Sequence, residues 1–187
     1  MGRIRTFVAV PAPGEVRAAI GVFTRSISRY CPGVRWEPRE KIHMTLKFLG
    51  DTDEGLVPEI LAVLRDRTIG VRTFGITIGG FGMFPSRRRP RVLWIGCDDP
   101  GDKLVAIRAG LVRDMDRLGF PRDDRPFHPH FTVGRMPAEG VAHYLTSLPK
   151  NITFEPHHTA VSEIFLMKSV LKPAGSEYSA LGSVTLT

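Results

Sequence analysis

Cysteine is scarce in this chain: Cys31 and Cys97 are the only two among 187 residues. Two thiols cannot build a disulfide framework, and their separation lacks the spacing of a metal site. Cys97 closes the apolar stretch Val92-Leu93-Trp94-Ile95-Gly96, a context that predicts a buried thiol. Long hydrophobic runs are missing too. Nothing approaches the roughly 18 apolar residues of a membrane span. The apolar part of the start, Ile4 to Val10, is too short for a signal peptide and reads as a first strand, so a cytoplasmic protein is expected. A phosphate-cradling nucleotide loop is also absent, because Gly79-Gly80-Phe81-Gly82 lacks the Gly-Lys-Ser/Thr ending. Low-complexity tracts and short-period repeats do not occur. What remains is the composition of a soluble globular protein, long enough to bury a core in one domain or two small lobes. Its charge is unbalanced at +7, which draws anions and raises nucleic acid or another phosphorylated partner as a class.

Against this background a short pattern occurs twice. His43-Met44-Thr45-Leu46 and His130-Phe131-Thr132-Val133 both read His, apolar, Thr, apolar, 87 residues apart (130 − 43). Side chains alternate faces along a strand, so each copy presents an imidazole and a hydroxyl together, backed by two apolar anchors. Two such strands facing each other would supply a symmetric pair of histidines suited to acid–base work on a phosphate. Incidental histidines on buried strands would explain one copy; they explain the repeated threonine and apolar backing poorly. Metal binding is the competing chemistry, with His128 and His130 on one strand face and His43 joining them. Zinc commonly takes carboxylate or cysteine ligands as well, and no spaced set of these is present.

The surrounding pattern predicts a mixed α+β chain. Val16, Ala19, Ile20, Phe23 and Ile27 form a helical stripe over Glu15 to Ser28. A short strand at Val34-Arg35-Trp36 precedes the first motif strand, His43 to Leu49, stopped by Gly50. Asp51-Thr52-Asp53 offers caps for a helix from Leu56 to about Arg67, with Pro58 in its first turn. Strands follow at Arg72 to Phe81, ending in glycines, and at Arg91 to Cys97. Leu104, Ile107, Leu111, Met115 and Leu118 mark a helix over Lys103 to Leu118, with Gly119 as its C-cap. After the second motif come a short helix near Val141 to Leu148 and long strands at Thr159 to Leu171 and Tyr178 to Leu186. Each motif strand leading into a helix and then a long strand implies two similar lobes whose antiparallel sheets face a central cleft, with helices outside. Arg87-Arg88-Arg89 with Arg91 is a loop by composition, either a funnel for an RNA backbone or a solvated segment.

The two motifs and their context resemble the two-histidine phosphoesterase superfamily, specifically the bacterial and archaeal RNA 2′,3′-cyclic phosphodiesterases once described as 2′-5′ RNA ligases. The similarity runs through residues 5–10 and Val34-Arg35-Trp36, then Ile42 to Gly50. It continues in Phe81-Gly82-Met83-Phe84-Pro85, Pro90 to Gly96, Phe127 to Arg135, and the tail with Leu171, Gly175 and Tyr178. The resemblance implies a bilobal fold over residues 1–187, no metal and no nucleotide cofactor, and a monomer is the expectation beside it. It implies hydrolysis of RNA 2′,3′-cyclic phosphate ends or cyclic nucleotides to 2′-phosphomonoesters. By position, His43 matches the proton donor and His130 the acceptor. Thr45 and Thr132 match the phosphate-holding threonines, and Arg135 the basic residue after the second motif. An RNA-binding module without turnover and 2′-5′ ligation as the reverse reaction are the alternatives.

The chemistry agrees. Opening the ring needs a base for water on one side of phosphorus and an acid for the 3′-oxygen on the other, and histidine ionises near neutrality. Hydroxyls and a guanidinium stabilise charge on the non-bridging oxygens. Strict strand parity objects on two points. Arg135 falls with Phe131 and Val133, and Phe48, the residue offered for base stacking, falls with Met44 and Leu46. Both would then point away from the histidines.

Overall fold

A computed structural model describes residues 2–87, 90–123, 126–136, 148–149, 151–173 and 175–187. Its strands are β1 (Arg3–Pro11), β2 (Arg35–Trp36), β3 (His43–Asp53), β4 (Phe74–Phe84), β5 (Val92–Asp98), β6 (His130–Arg135), β7 (His157–Val161), β8 (Glu163–Lys172) and β9 (Gly175–Thr185). The helices are α1 (Gly14–Ser28), α2 (Val57–Thr68) and α3 (Lys103–Arg117). The strands form two antiparallel sheets, in the orders β3-β1-β8-β9 and β2-β6-β5-β4-β7. Each sheet therefore contains one motif strand, β3 or β6, and the fold is the α+β bilobal arrangement that the repeat implied.

The helical stripes bury as their spacing demands. Val16, Ile20 and Ile27 of α1 are inside, as are Leu104, Ile107, Leu111 and Met115 of α3. Full burial of each such side chain stabilises the fold by about 1.5–3 kcal/mol. Phe23 of α1 meets Phe81 and Phe154 edge-on at 5.3 and 5.5 Å, seating α1 against the five-stranded sheet. On the other sheet, a Cβ at Gly182 of β9 would lie 2.9 Å from a Leu61 methyl, so α2 packs there at backbone range. Arg67 of α2 donates from Nε to Asp114 of α3 at 3.0 Å, tying the two helices. Asp53 accepts from the Gly55 amide and caps the turn into α2, with Pro58 in its first turn. After α3, Gly119 at φ +86° closes a Schellman cap: its amide bonds the Asp116 carbonyl and the Phe120 amide bonds that of Met115. Among the described residues, no helix is long and apolar enough to cross a membrane.

Several boundaries differ from the sequence reading. β3 does not stop at Gly50, which adopts φ +76° beside a bulge while the strand runs on to Asp53, opposite Arg3. β4 likewise passes through its glycines to Phe84, with Gly80 at φ +72° in a bulge against β5. The single strand expected over Thr159–Leu171 is two. β7 pairs with β4 in one sheet, β8 with β1 in the other, and Ser162 lies at the crossing. The burial record carries the break: Val161 and Ile164 are both inside, three apart where one strand face requires an even step. Cys97 is half-buried, because it sits at the end of β5 beyond the closed part of the core; Cys31 is the buried thiol. The helix expected near Val141–Leu148 lies outside the described residues but for Leu148, as do Arg88 and Arg89 of the basic loop.

Candidate active site

The parity objection is removed by two bulges in the same place. In β3, Lys47 pairs with Val8 and Thr45 with Ala9, so Leu46 is the extra residue. In β6, Gly134 pairs with Leu93 and Thr132 with Trp94, so Val133 is the extra residue. Each bulge follows the motif threonine and buries two consecutive residues, Leu46 with Lys47 and Val133 with Gly134. Alternation then resumes one step out of phase. Phe48 and Arg135, the fifth residues after their histidines, return to the histidine face. The expectation that they point away is overturned by a backbone feature that a single sequence does not display. Gly134 has a steric reason to be glycine: a Cβ there would lie 2.8 Å from Val34 and 3.1 Å from Trp36.

The histidines are held alike. Nδ1 of His43 lies 2.7 Å from the Lys41 carbonyl, and Nδ1 of His130 lies 2.7 Å from the His128 carbonyl. A carbonyl only accepts, so Nδ1 carries the proton in both rings and Nε2 is left for chemistry. Each ring sits among aromatics. His43 tilts on Phe7 at 4.8 Å and meets Tyr178 edge-on at 5.2 Å; His130 meets Phe84 at 5.0 Å and Trp94 at 6.2 Å. Burial pushes both imidazoles below the ordinary 6.5, partly opposed in each by the carbonyl bond. Their electrostatic surroundings differ. The Glu37 carboxylate pulls His43 back up while Arg135 lowers it; around His130 both His128 and Arg135 lower it.

The Arg135 charge lowers both histidines. Its Nε donates to Glu37 at 3.1 Å, and Glu37 is fixed by its amide on the Val133 carbonyl at 2.9 Å. The side-chain hydroxyls of Thr45 and Thr132 make no hydrogen bond with the described residues. A cavity of about 310 Å³ is walled by His43, Phe48, Arg135, Phe7, Trp36 and Tyr178 among others; His130 and the two threonines lie outside that wall. Among the described residues, no group of three or more His, Cys, Asp or Glu side chains is arranged to hold a metal ion. Sequence reasoning singled out neither Glu37 nor Lys41. Phe7, Trp36, Phe84, Trp94 and Tyr178 stood only as members of predicted strands or of stretches that carried the resemblance, with no role of their own.

Comparison with known proteins follows the same lines. Residues 17–172 match the family described as the 2′-5′ RNA ligase superfamily. A protein of Thermotoga maritima named RNA 2′,3′-cyclic phosphodiesterase is 32% identical, over 95% of this chain and 93% of its own. The crystal structure of TT0787 of Thermus thermophilus superposes with a TM-score of 0.83 at 29% identity, covering 98% of each chain. Escherichia coli LigT complexed with 3′-AMP gives 0.78 at 25% identity, covering 100% of this chain and 99% of its own.

Proposed function

The chain belongs to the 2′-5′ RNA ligase superfamily, and from that premise we propose that it hydrolyses RNA 2′,3′-cyclic phosphate ends to 2′-phosphomonoesters. Residues 1–187 are read as one bilobal domain, supported among the described residues by a hydrophobic cluster with members from both sheets. The observation that carries the assignment of roles is the unequal surroundings of two otherwise matched histidines. His43 has a carboxylate, Glu37, favouring its charged form, whereas the neighbours that act on His130 among the described residues, His128 and Arg135, both disfavour it. Environments that separate two titrating groups distinguish acid from base.

His130, neutral with its lone pair on Nε2, takes a proton from water. The oxygen attacks phosphorus and the bond to the 3′-oxygen breaks. His43, charged, delivers its Nε2 proton to that oxygen, leaving the phosphate on the 2′ position. Thr45 and Thr132 donate to the non-bridging oxygens, and Arg135 offsets their growing charge. Phe48 is 55% exposed on the same face, a surface on which the terminal base stacks. Ligation is the same attack with an RNA 5′-hydroxyl in place of water as nucleophile, and the abundance of bulk water favours hydrolysis.

The test uses an oligoribonucleotide ending in a 2′,3′-cyclic phosphate, in EDTA, with His43→Ala beside the wild type. A 2′-phosphate product from the wild type alone supports the reading. RNA bound without product would move the chain to a binding role.

A further inference from the structure

The cavity beside His43 carries more positive charge than one cyclic phosphate requires. Arg5, Arg35, Lys41 and Arg135 line it against one carboxylate, Glu37, which Arg135 engages. Arg5 and Arg35 are exposed and make no side-chain hydrogen bond or ion pair with the described residues. The carboxylate opposite Arg5 in the β1–β3 register, Asp51, is held by Arg3 at 2.6 Å. Lys41 donates from Nζ to the Ser176 carbonyl at 2.7 Å, a neutral partner. Arg35 stands directly across from Arg135 in the β2–β6 pair, a like-charge juxtaposition that is unfavourable without an anion. Ser169 and Tyr178, aligned with Arg5 across β1, β8 and β9, add hydroxyls to the same wall.

A second cavity of about 450 Å³ shares Lys41, His43 and Tyr178 with the first. Its floor includes Ala9, Phe165, Met167 and Ala180, and its cations Arg17 and Lys41 are matched by Glu40 and Glu177. Charge therefore selects the first cavity for an anion.

Covalent connectivity says which anion. With the cyclic phosphate between the histidines, the next negative charge on an RNA end is the phosphodiester on the 5′-oxygen of the same nucleoside. Resting on the cyclic phosphodiesterase reading, we infer that Arg5, Arg35 and Lys41 form a second phosphate subsite that takes this phosphodiester. The substrate class is then an RNA end of at least two nucleotides, and a nucleoside 2′,3′-cyclic phosphate fills only half of the site.

The experiment compares adenosine 2′,3′-cyclic phosphate with a dinucleotide carrying the same terminal group, for wild type and the Arg5→Gln/Arg35→Gln double variant, over a salt series. Lys41 is left intact because its main chain holds His43. The wild type should favour the dinucleotide in kcat/KM by about tenfold for each charged contact. The double variant should lose most of that ratio. The extra salt dependence of the dinucleotide, about 0.7 log unit per log unit of salt for one phosphate on a single strand, should go with it. A ratio that survives in the double variant, or an equal fall on both substrates, overturns the subsite. Absence of turnover on either substrate strikes the hydrolase reading instead. Titration of the corresponding 2′-phosphate products then decides the subsite, and equal Kd values for mono- and dinucleotide would reject it.

Discussion

Phe48 and Arg135 occupy the same place in two different strands. Each stands five residues beyond a motif histidine, and each is returned to that histidine's face by a bulge at the residue after the motif threonine. One copy places an aromatic surface there and the other a guanidinium, so a duplicated backbone device serves two chemistries.

Their substitutions should therefore separate kinetically. Arg135→Ala removes a group that acts mainly as charge builds, and kcat should fall about 10²–10³-fold. Phe48→Ala removes a stacking surface worth about 1–3 kcal/mol per base, so KM should rise about 5- to 160-fold with kcat nearly kept. Steady-state kinetics on one oligonucleotide checks both, and the reverse pattern would reject the assignment.

The histidines should behave as a unit. His43→Ala and His130→Ala each remove a proton-transfer partner and should cost at least about 10²–10⁴-fold. The double variant should be little worse than either single one, because half of an acid–base pair is of little use. Single-turnover rates at fixed pH supply the comparison, and additive losses would argue for independent roles.

Both imidazoles are lowered from 6.5 by burial. Between the lowered values and 6.5 the folded protein binds fewer protons than the unfolded chain. Stability thus rises with pH through that window and is lost as pH falls below about 6.5. The two-histidine contribution to acid destabilisation should diminish in His130→Gln, read as Tm against pH. For activity, kcat/KM should trace a bell centred on the acid side of 6.5. The kcat bell should lie higher, since a bound phosphate anion favours imidazolium. A kcat/KM profile flat from about pH 5 to 8 would exclude histidine acid–base chemistry.

Gly82 lies beneath the indole of Trp94, where a Cβ would come within 2.1 Å of the ring. Trp94 meets Phe84 in a tilted ring contact at 5.0 Å, and both border His130. Gly82→Ala must displace the indole. A cost of about 1–3 kcal/mol is expected from overpacking, several degrees in Tm for a chain of this size. Activity measured well below Tm should fall as well, because His130 loses its wall; unchanged Tm and rate would show that the ring moves freely.

The sequence alone determined the paired motif strands, the stripes of α1 and α3, the glycine cap at Gly119 and the proline-tolerant start of α2. These are local periodicities and caps that need no partner to be read. It also determined that His43 and Thr45, and His130 and Thr132, share a face, because parity holds between neighbours two apart. Parity failed three residues further on, and only the tertiary structure decided where Phe48 and Arg135 point. A bulge is set by how β1 and β5 pair with the motif strands, not by the residues that bulge. Pairing likewise divided β7 from β8 at Ser162, sending one long apolar pattern into two sheets. The unequal charge around the histidines is tertiary too. Glu37 reaches Arg135 because β2 lies beside β6, and 98 residues of chain separate the two.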